Sequence, residues 1–161
     1  MDEIRTCQGC TACCEGWVRI EAKGYEASPG KPCPFSTQFG CGDYINRPID
    51  PCRNFECAWV QKGSLLPEWM KPSDSKVILF FNKSHFSNVP IYLAAPVGEF
   101  IPPKTLAWVK GFAEKSGHPL VFFDNKMVND EFIGEVVSHV HGPAHFQKYI
   151  RAKIEAGEVD W

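Results

Sequence analysis

Every cysteine in the chain, eight in all, lies at or before Cys57. Four crowd into one run, Cys7-Gln8-Gly9-Cys10-Thr11-Ala12-Cys13-Cys14, and Cys33, Cys41, Cys52 and Cys57 follow. A cysteine used only for core packing is one small hydrophobe among many and has no reason to cluster. The clustering therefore points to disulfides or to metal. The same stretch is rich in turn chemistry, as in Ser28-Pro29-Gly30-Lys31-Pro32-Cys33-Pro34 and Phe39-Gly40-Cys41-Gly42-Asp43. A segment with so little hydrophobic periodicity needs something other than a large apolar core to hold it, and a metal can supply that.

The choice between disulfide and metal turns on compartment. Met1-Asp2-Glu3-Ile4-Arg5 is acidic and lacks an apolar stretch, so the expectation is a chain without a secretory signal, in the cytoplasm. Thiols stay reduced there, and a cysteine pattern reads as metal-binding or catalytic. The longest apolar runs, Val77 to Phe81 and Ile91 to Val97, are far too short to span a bilayer, so no membrane partner is expected. Net charge is -2 and neither half is strongly basic, which argues against nucleic acid. The expected partner is a metal ion, with a protein partner as a further candidate.

The fold class expected is α+β: an irregular, cysteine-rich metal-binding module over residues 1–60, packed on a small mixed α/β region over residues 61–161. A helix is predicted from Asp50-Pro51, a good N-cap followed by proline at the first helical position, running to Gly63 with Cys52 in its first turn. Val77 to Phe81 and Ile91 to Ala94 read as buried strands. Pro103 to Ser116 reads as a helix with Leu106, Val109, Phe112 and Ala113 on one face, stopped by Gly117. Leu120 to Phe123 and Lys126 to Val128 read as a hairpin turning at Asp124-Asn125. Glu135 to Val140 reads as another strand. Pro143 opens a last helix with Phe146, Tyr149, Ile150 and Ile154 inward.

Cys7 and Cys10 form a C-x-x-C turn, half of a tetrahedral zinc site. Adding Cys13 gives a spacing that also wraps three corners of an iron–sulfur cube, and Cys33 is followed by Pro34, as the remote cysteine of such clusters often is. Cys13 and Cys14 are adjacent, and neighbouring side chains diverge, so one ion should not take both. Cys52 and Cys57 would lie on different sides of one continuous helix. Eight cysteines divide naturally into two sites of four.

These residues carry a resemblance. Cys7-x2-Cys10-x2-Cys13-Cys14 resembles the signature of the CxxCxxCC cysteine-cluster family, described as zinc- or iron-chelating proteins. Cys33-Pro34-Phe35, Gly40-Cys41-Gly42-Asp43-Tyr44, Arg47-Pro48 and Cys52-Arg53-Asn54-Phe55-Glu56-Cys57 resemble its further motifs. The chain departs from the pattern in the segment Ile49-Asp50-Pro51, which is longer than the family's spacing between Pro48 and Cys52. The resemblance covers about residues 5–60. It implies metal chelation by Cys7, Cys10, Cys13, Cys14, Cys33, Cys41, Cys52 and Cys57, with zinc or an iron–sulfur cluster as the cofactor. The family also includes flagellin lysine methylases, which are much longer chains.

Other residues compete for a role. His139, His141 and His145 form H-x-H-x3-H, which suits either a metal or polar residues flanking the turn at Gly142-Pro143. His85 and His118 read as structural. Arg47 and Arg53 could offset the negative charge of several thiolates. Phe80, Phe81, Phe122 and Phe123 read as core. Lys148, Arg151 and Lys153 give the last helix a solvated basic face. No Walker loop, G-x-G-x-x-G, H-E-x-x-H or G-x-S-x-G motif occurs. The function expected is therefore metal binding. The alternatives are an enzyme, methyltransferase-like or redox, that uses the cluster as cofactor or Cys14 as nucleophile, and a partner-binding module rigidified by metal.

Overall fold

The computed structural model describes residues 4–7 and 9–158. The N-terminal reading of Met1 to Glu3, and Gln8 of the C-x-x-C turn, lie outside them. A four-stranded sheet organises the chain. It contains β5 (Val77–Phe86), β6 (Val89–Pro96), β7 (Leu120–Val128) and β8 (Glu131–His141), in that spatial order. The outer pairs are antiparallel and β6 runs parallel to β7. After the short helix α1 (Pro72–Ser75), helix α2 (Pro103–Ser116) makes the crossover that a parallel pair requires. Helix α3 (Ala144–Glu155) follows β8. The architecture is mixed α/β, as expected.

Both hairpins close through two-residue turns. Ser87 and Asn88 join β5 to β6, and Asn129 and Asp130 join β7 to β8, all four with positive φ. Such turns match the right-handed twist of the strands they connect. The second turn corrects the sequence reading, which placed it at Asp124-Asn125. Those residues continue β7, pairing with Val137 and Val136. Asn125 is buried there, and its Nδ2 donates to the Gly98 carbonyl at 2.7 Å. The polar pair looked like a turn because its partners lie far away in sequence.

The sheet is covered on both faces, which explains the unbroken apolar runs in β5 and β6. On one face Tyr92 stacks with Phe112 of α2, ring centroids 6.0 Å apart, and Phe146 of α3 meets Phe86 edge-on at 5.3 Å. Val109 and Ala113 are buried beneath α2, and Phe146 and Ile150 beneath α3. Tyr149, expected inward, is 43% exposed at the helix margin. Gly117 ends α2 in the left-handed conformation at φ 74, as expected.

The opposite face meets the cysteine-rich segment. Phe55 packs edge-on against Phe80 at 5.4 Å, and the Ala58 N–H donates to the Leu79 carbonyl at 2.7 Å. That last bond explains why the helix expected from Asp50 to Gly63 does not form. Asp50 is extended at φ -107, ψ 130, and Ile49–Arg53 makes only one wide turn. The residue before a proline is pushed out of the helical region, and the chain beyond Phe55 is drawn out to bond to β5. The local helix signal is overridden by a tertiary contact. Two small hairpins complete this segment: β1 (Ile20–Ala22) with β2 (Tyr25–Ala27), and β3 (Ser36–Thr37) with β4 (Gly40–Cys41). Among the described residues no helix is long and apolar enough to cross a membrane.

Candidate metal centre

Backbone hydrogen bonds bring the cysteines together despite the irregular chain. The Cys10 N–H donates to the Cys7 carbonyl at 3.0 Å, closing the C-x-x-C turn, and Gly9 inside it has φ 76. The Gly9 N–H donates to Phe39 at 3.1 Å, which seats this turn on the loop between β3 and β4. The Cys33 N–H donates to the Cys14 carbonyl at 2.7 Å. The β3–β4 hairpin then carries Cys41 back toward Cys33, through the pairing of Ser36 with Cys41. Arg5 fixes the segment entering the first cysteine run: its guanidinium donates to the carbonyls of Trp59 and Leu66 and pairs with Glu68 at 2.7 Å.

All eight cysteines line a single cavity of about 100 Å³. All eight are free cysteines. Two neighbourhoods can be distinguished. Cys57 is buried in the hydrophobic core, and Cys10 and Cys13 pack against that core. The thiols acting most strongly on Cys13 are Cys57 and then Cys10. Those acting most strongly on Cys14 are Cys41, Cys33 and Cys52. The adjacent pair Cys13-Cys14 thus differs in the thiols that act on each most strongly, with Cys7 acting on both.

Burial raises these thiols, and mutual repulsion adds to it. Cys7 lines the cavity but keeps an exposed face; partial desolvation, followed by Cys57 and Cys10, pushes it up to about 11 against the opposing pull of Arg47. Burial and then Cys41, Cys33 and Cys52 push Cys14 up to about 12. Burial also raises Cys13, Cys52 and Cys57. The backbone N–H groups of Val60 and Trp59, near the Cys57 thiol, partly offset the rise, and the Val60 N–H donates to the Cys57 carbonyl at 3.0 Å. Without an added cation, Cys7, Cys13, Cys14, Cys52 and Cys57 keep their protons at neutral pH.

No group of three or more His, Cys, Asp or Glu side chains among the described residues is arranged to hold a metal ion as it stands. The thiols surround the cavity without closing on a point. Neutral thiols gain nothing by converging, whereas a thiophilic cation both deprotonates and gathers them. The donor set fits such a group in three respects: eight sulfurs on one cavity, backbone N–H groups near the Cys57 thiol, and Arg47 beside Cys7 and Cys52. A fourth feature lies in Trp59. This residue lines the cavity and is 6% exposed, yet its indole Nε1 is buried with no hydrogen-bond partner. A thiolate would be an acceptor for such a donor.

The remaining candidates separate from this cavity. Arg47 lines it, with its guanidinium 3.5 Å from the Tyr44 ring centroid. Arg53 instead donates to the Ile45 carbonyl at 2.7 Å. His139 and His141 share a sheet face but hold different carboxylates, Asp124 at 2.7 Å and Glu114 at 2.8 Å. His145 lies against the Phe86 ring, and His118 stacks on Tyr92 and bonds to the Pro90 carbonyl. Phe80 and Phe123 are core, with Phe81 and Phe122 packed against it. Sequence reasoning missed Arg5, Trp59 and Lys23, which lines the cavity and acts on Cys52. Their roles arise from contacts between distant segments, and no spacing announces them. Compared with family models, with curated proteins and with solved structures, the chain matches none.

Proposed function

We propose that this chain is a metal-binding protein whose cysteines chelate zinc or an iron–sulfur centre. The observation that carries the reading is the convergence of all eight cysteines on one cavity, from positions fifty residues apart in sequence. Core packing alone gives no reason to gather eight free thiols around one space, where burial raises the proton affinity of Cys7, Cys13, Cys14, Cys52 and Cys57. A bound thiophilic cation supplies the positive charge that converts them to thiolates. The chain's own residues do the rest. Cys57 is fixed by its place in the core, Arg47 offsets negative charge near Cys7 and Cys52, and Trp59 offers an unused donor. Closed four-thiolate sites leave no position for a substrate, so a zinc form serves structure or metal handling.

The test is the metal and acid-labile sulfide content of protein expressed in a reducing cytoplasm and purified without oxygen. Colourless protein with zinc supports a thiolate zinc site, and brown protein with iron and sulfide supports a cluster. Protein that arrives without either, and takes up neither on reconstitution, contradicts the proposal.

A further inference from the structure

The geometry points to two separate four-sulfur sites of unequal lability: a core-anchored one of Cys7, Cys10, Cys13 and Cys57, and an exchangeable one of Cys14, Cys33, Cys41 and Cys52. This rests on the metal-binding reading above and deepens it, since it assigns one site to holding the fold and the other to giving up its ion.

The partition follows from which backbone carries each sulfur. Cys57 belongs to the hydrophobic core, and Cys10 and Cys13 pack directly against it. Cys7 is tied to Cys10 by the turn hydrogen bond and sits two residues beyond Arg5, whose guanidinium grips Trp59, Leu66 and Glu68. Opening this set means disturbing residues that also hold the sheet, since the next residue, Ala58, is bonded to β5. The other set has no such anchor. Cys14 and Cys33 are linked by one backbone hydrogen bond, Cys41 sits on a two-residue strand, and Cys52 lies on the single wide turn at Ile49–Arg53. None of these four belongs to the core cluster or packs against it. Lys23 acts on Cys52 of this set, whereas Arg47 acts on both Cys52 and Cys7. Elements held by few buried contacts open most readily, so the ion held there should exchange first. Binding at either site is balanced as one divalent cation displacing the protons of its four thiols.

The experiment uses the full chain, reduced and metal-free, with zinc or cobalt(II) as the probe. Zinc is added at one equivalent and at two, and accessible thiols are alkylated and located by mass spectrometry. At one equivalent, Cys7, Cys10, Cys13 and Cys57 should be shielded together while the other four are labelled; at two, all eight should be shielded. A chelator added to the loaded protein should remove one equivalent quickly and the second at least tenfold more slowly. Cobalt(II) titration should give two equivalents for the native chain and one each for Cys57→Ser and Cys52→Ser. The double variant Cys13→Ser/Cys57→Ser should still bind one, and Cys52→Ser/Cys57→Ser none. Shielding that mixes the two sets, or loss of all metal in Cys13→Ser/Cys57→Ser when the native chain binds two, overturns the partition and leaves the metal-binding reading standing. A native chain that shields no thiol with either ion overturns the partition, and one that also takes up no iron and sulfide overturns the metal-binding reading. The alkylation pattern uses the unmutated protein, so a variant that fails to fold does not rescue the idea.

Discussion

A Cβ placed on Gly16 would lie 2.1 Å from the carbonyl oxygen of Ser28, and Gly16 itself has φ 91. The residue follows the four-cysteine run by two positions, and Ser28 bonds reciprocally with Lys31 ahead of Cys33. The close approach is therefore what lets the first cysteine run dock on the strand leading to Cys33. Only glycine provides both the positive φ and the missing Cβ. Gly16→Ala should destabilise the protein by about 3 kcal/mol or more, from backbone displacement and conformational strain together. Denaturant titration would show it; a midpoint unchanged from the native chain would contradict the close approach.

Arg5 is the next test. It satisfies two backbone carbonyls, pairs with Glu68 and lies 4.7 Å from the Trp59 ring centroid. Arg5→Ala leaves those carbonyls without their donor, and a loss of about 2 kcal/mol is expected. Arg5→Lys should recover only part of it, because an ammonium cannot reproduce the guanidinium fork. Equal stability of the lysine variant and the native chain would argue against the forked contact.

The raised thiols set a pH dependence for the metal-free, reduced protein. An unfolded thiol titrates near 9.0, whereas folded Cys7 titrates at about 11 and Cys14 at about 12. Above pH 9 the folded state therefore holds more protons than the unfolded one, and stability must fall as pH rises. The contribution is complete below 9 and is lost through 11 to 12. Urea midpoints of metal-free protein should drop across that window. Metal affinity should move the other way, rising with pH as protons compete less for sulfur. A metal-free midpoint that rises across the window would refute the burial of these thiols.

Much of the sheet was legible because buried strands and amphipathic helices repeat with fixed periods. Val77 to Phe81, Ile91 to Ala94 and Pro103 to Ser116 lie inside the observed elements. Two local signals misled. Asp50-Pro51 carries good helix-start chemistry, but the bond from Ala58 to Leu79 draws the following chain out. Asp124-Asn125 carries turn chemistry, but Gly98 and Glu99 take up the polar groups of Asn125 inside the sheet. In both, a partner remote in sequence decides, and no local pattern encodes it. The cysteines themselves were plain from spacing. Their sorting into two neighbourhoods was not, because it depends on Cys57 joining the core and Cys33 bonding to Cys14.

Metal removal should loosen the chain unevenly. Residues 20–27 and 36–41 form strands of two or three residues, too short to persist on their own pairing. Amide exchange after chelation should accelerate there by about a hundredfold or more, while β6 and β7 keep their protection. Uniform acceleration across the sheet would show that the cysteine-rich segment and the sheet open as one unit.

The most direct measurement is the number of cysteines that react with an alkylating reagent in native protein purified without oxygen, before and after a strong chelator. Bound metal predicts that most of the eight are shielded at first and that all eight react once the chelator has acted, with zinc or iron recovered in the chelate. Equal reactivity before and after, with no metal released, would contradict the claim that this cavity exists to hold one.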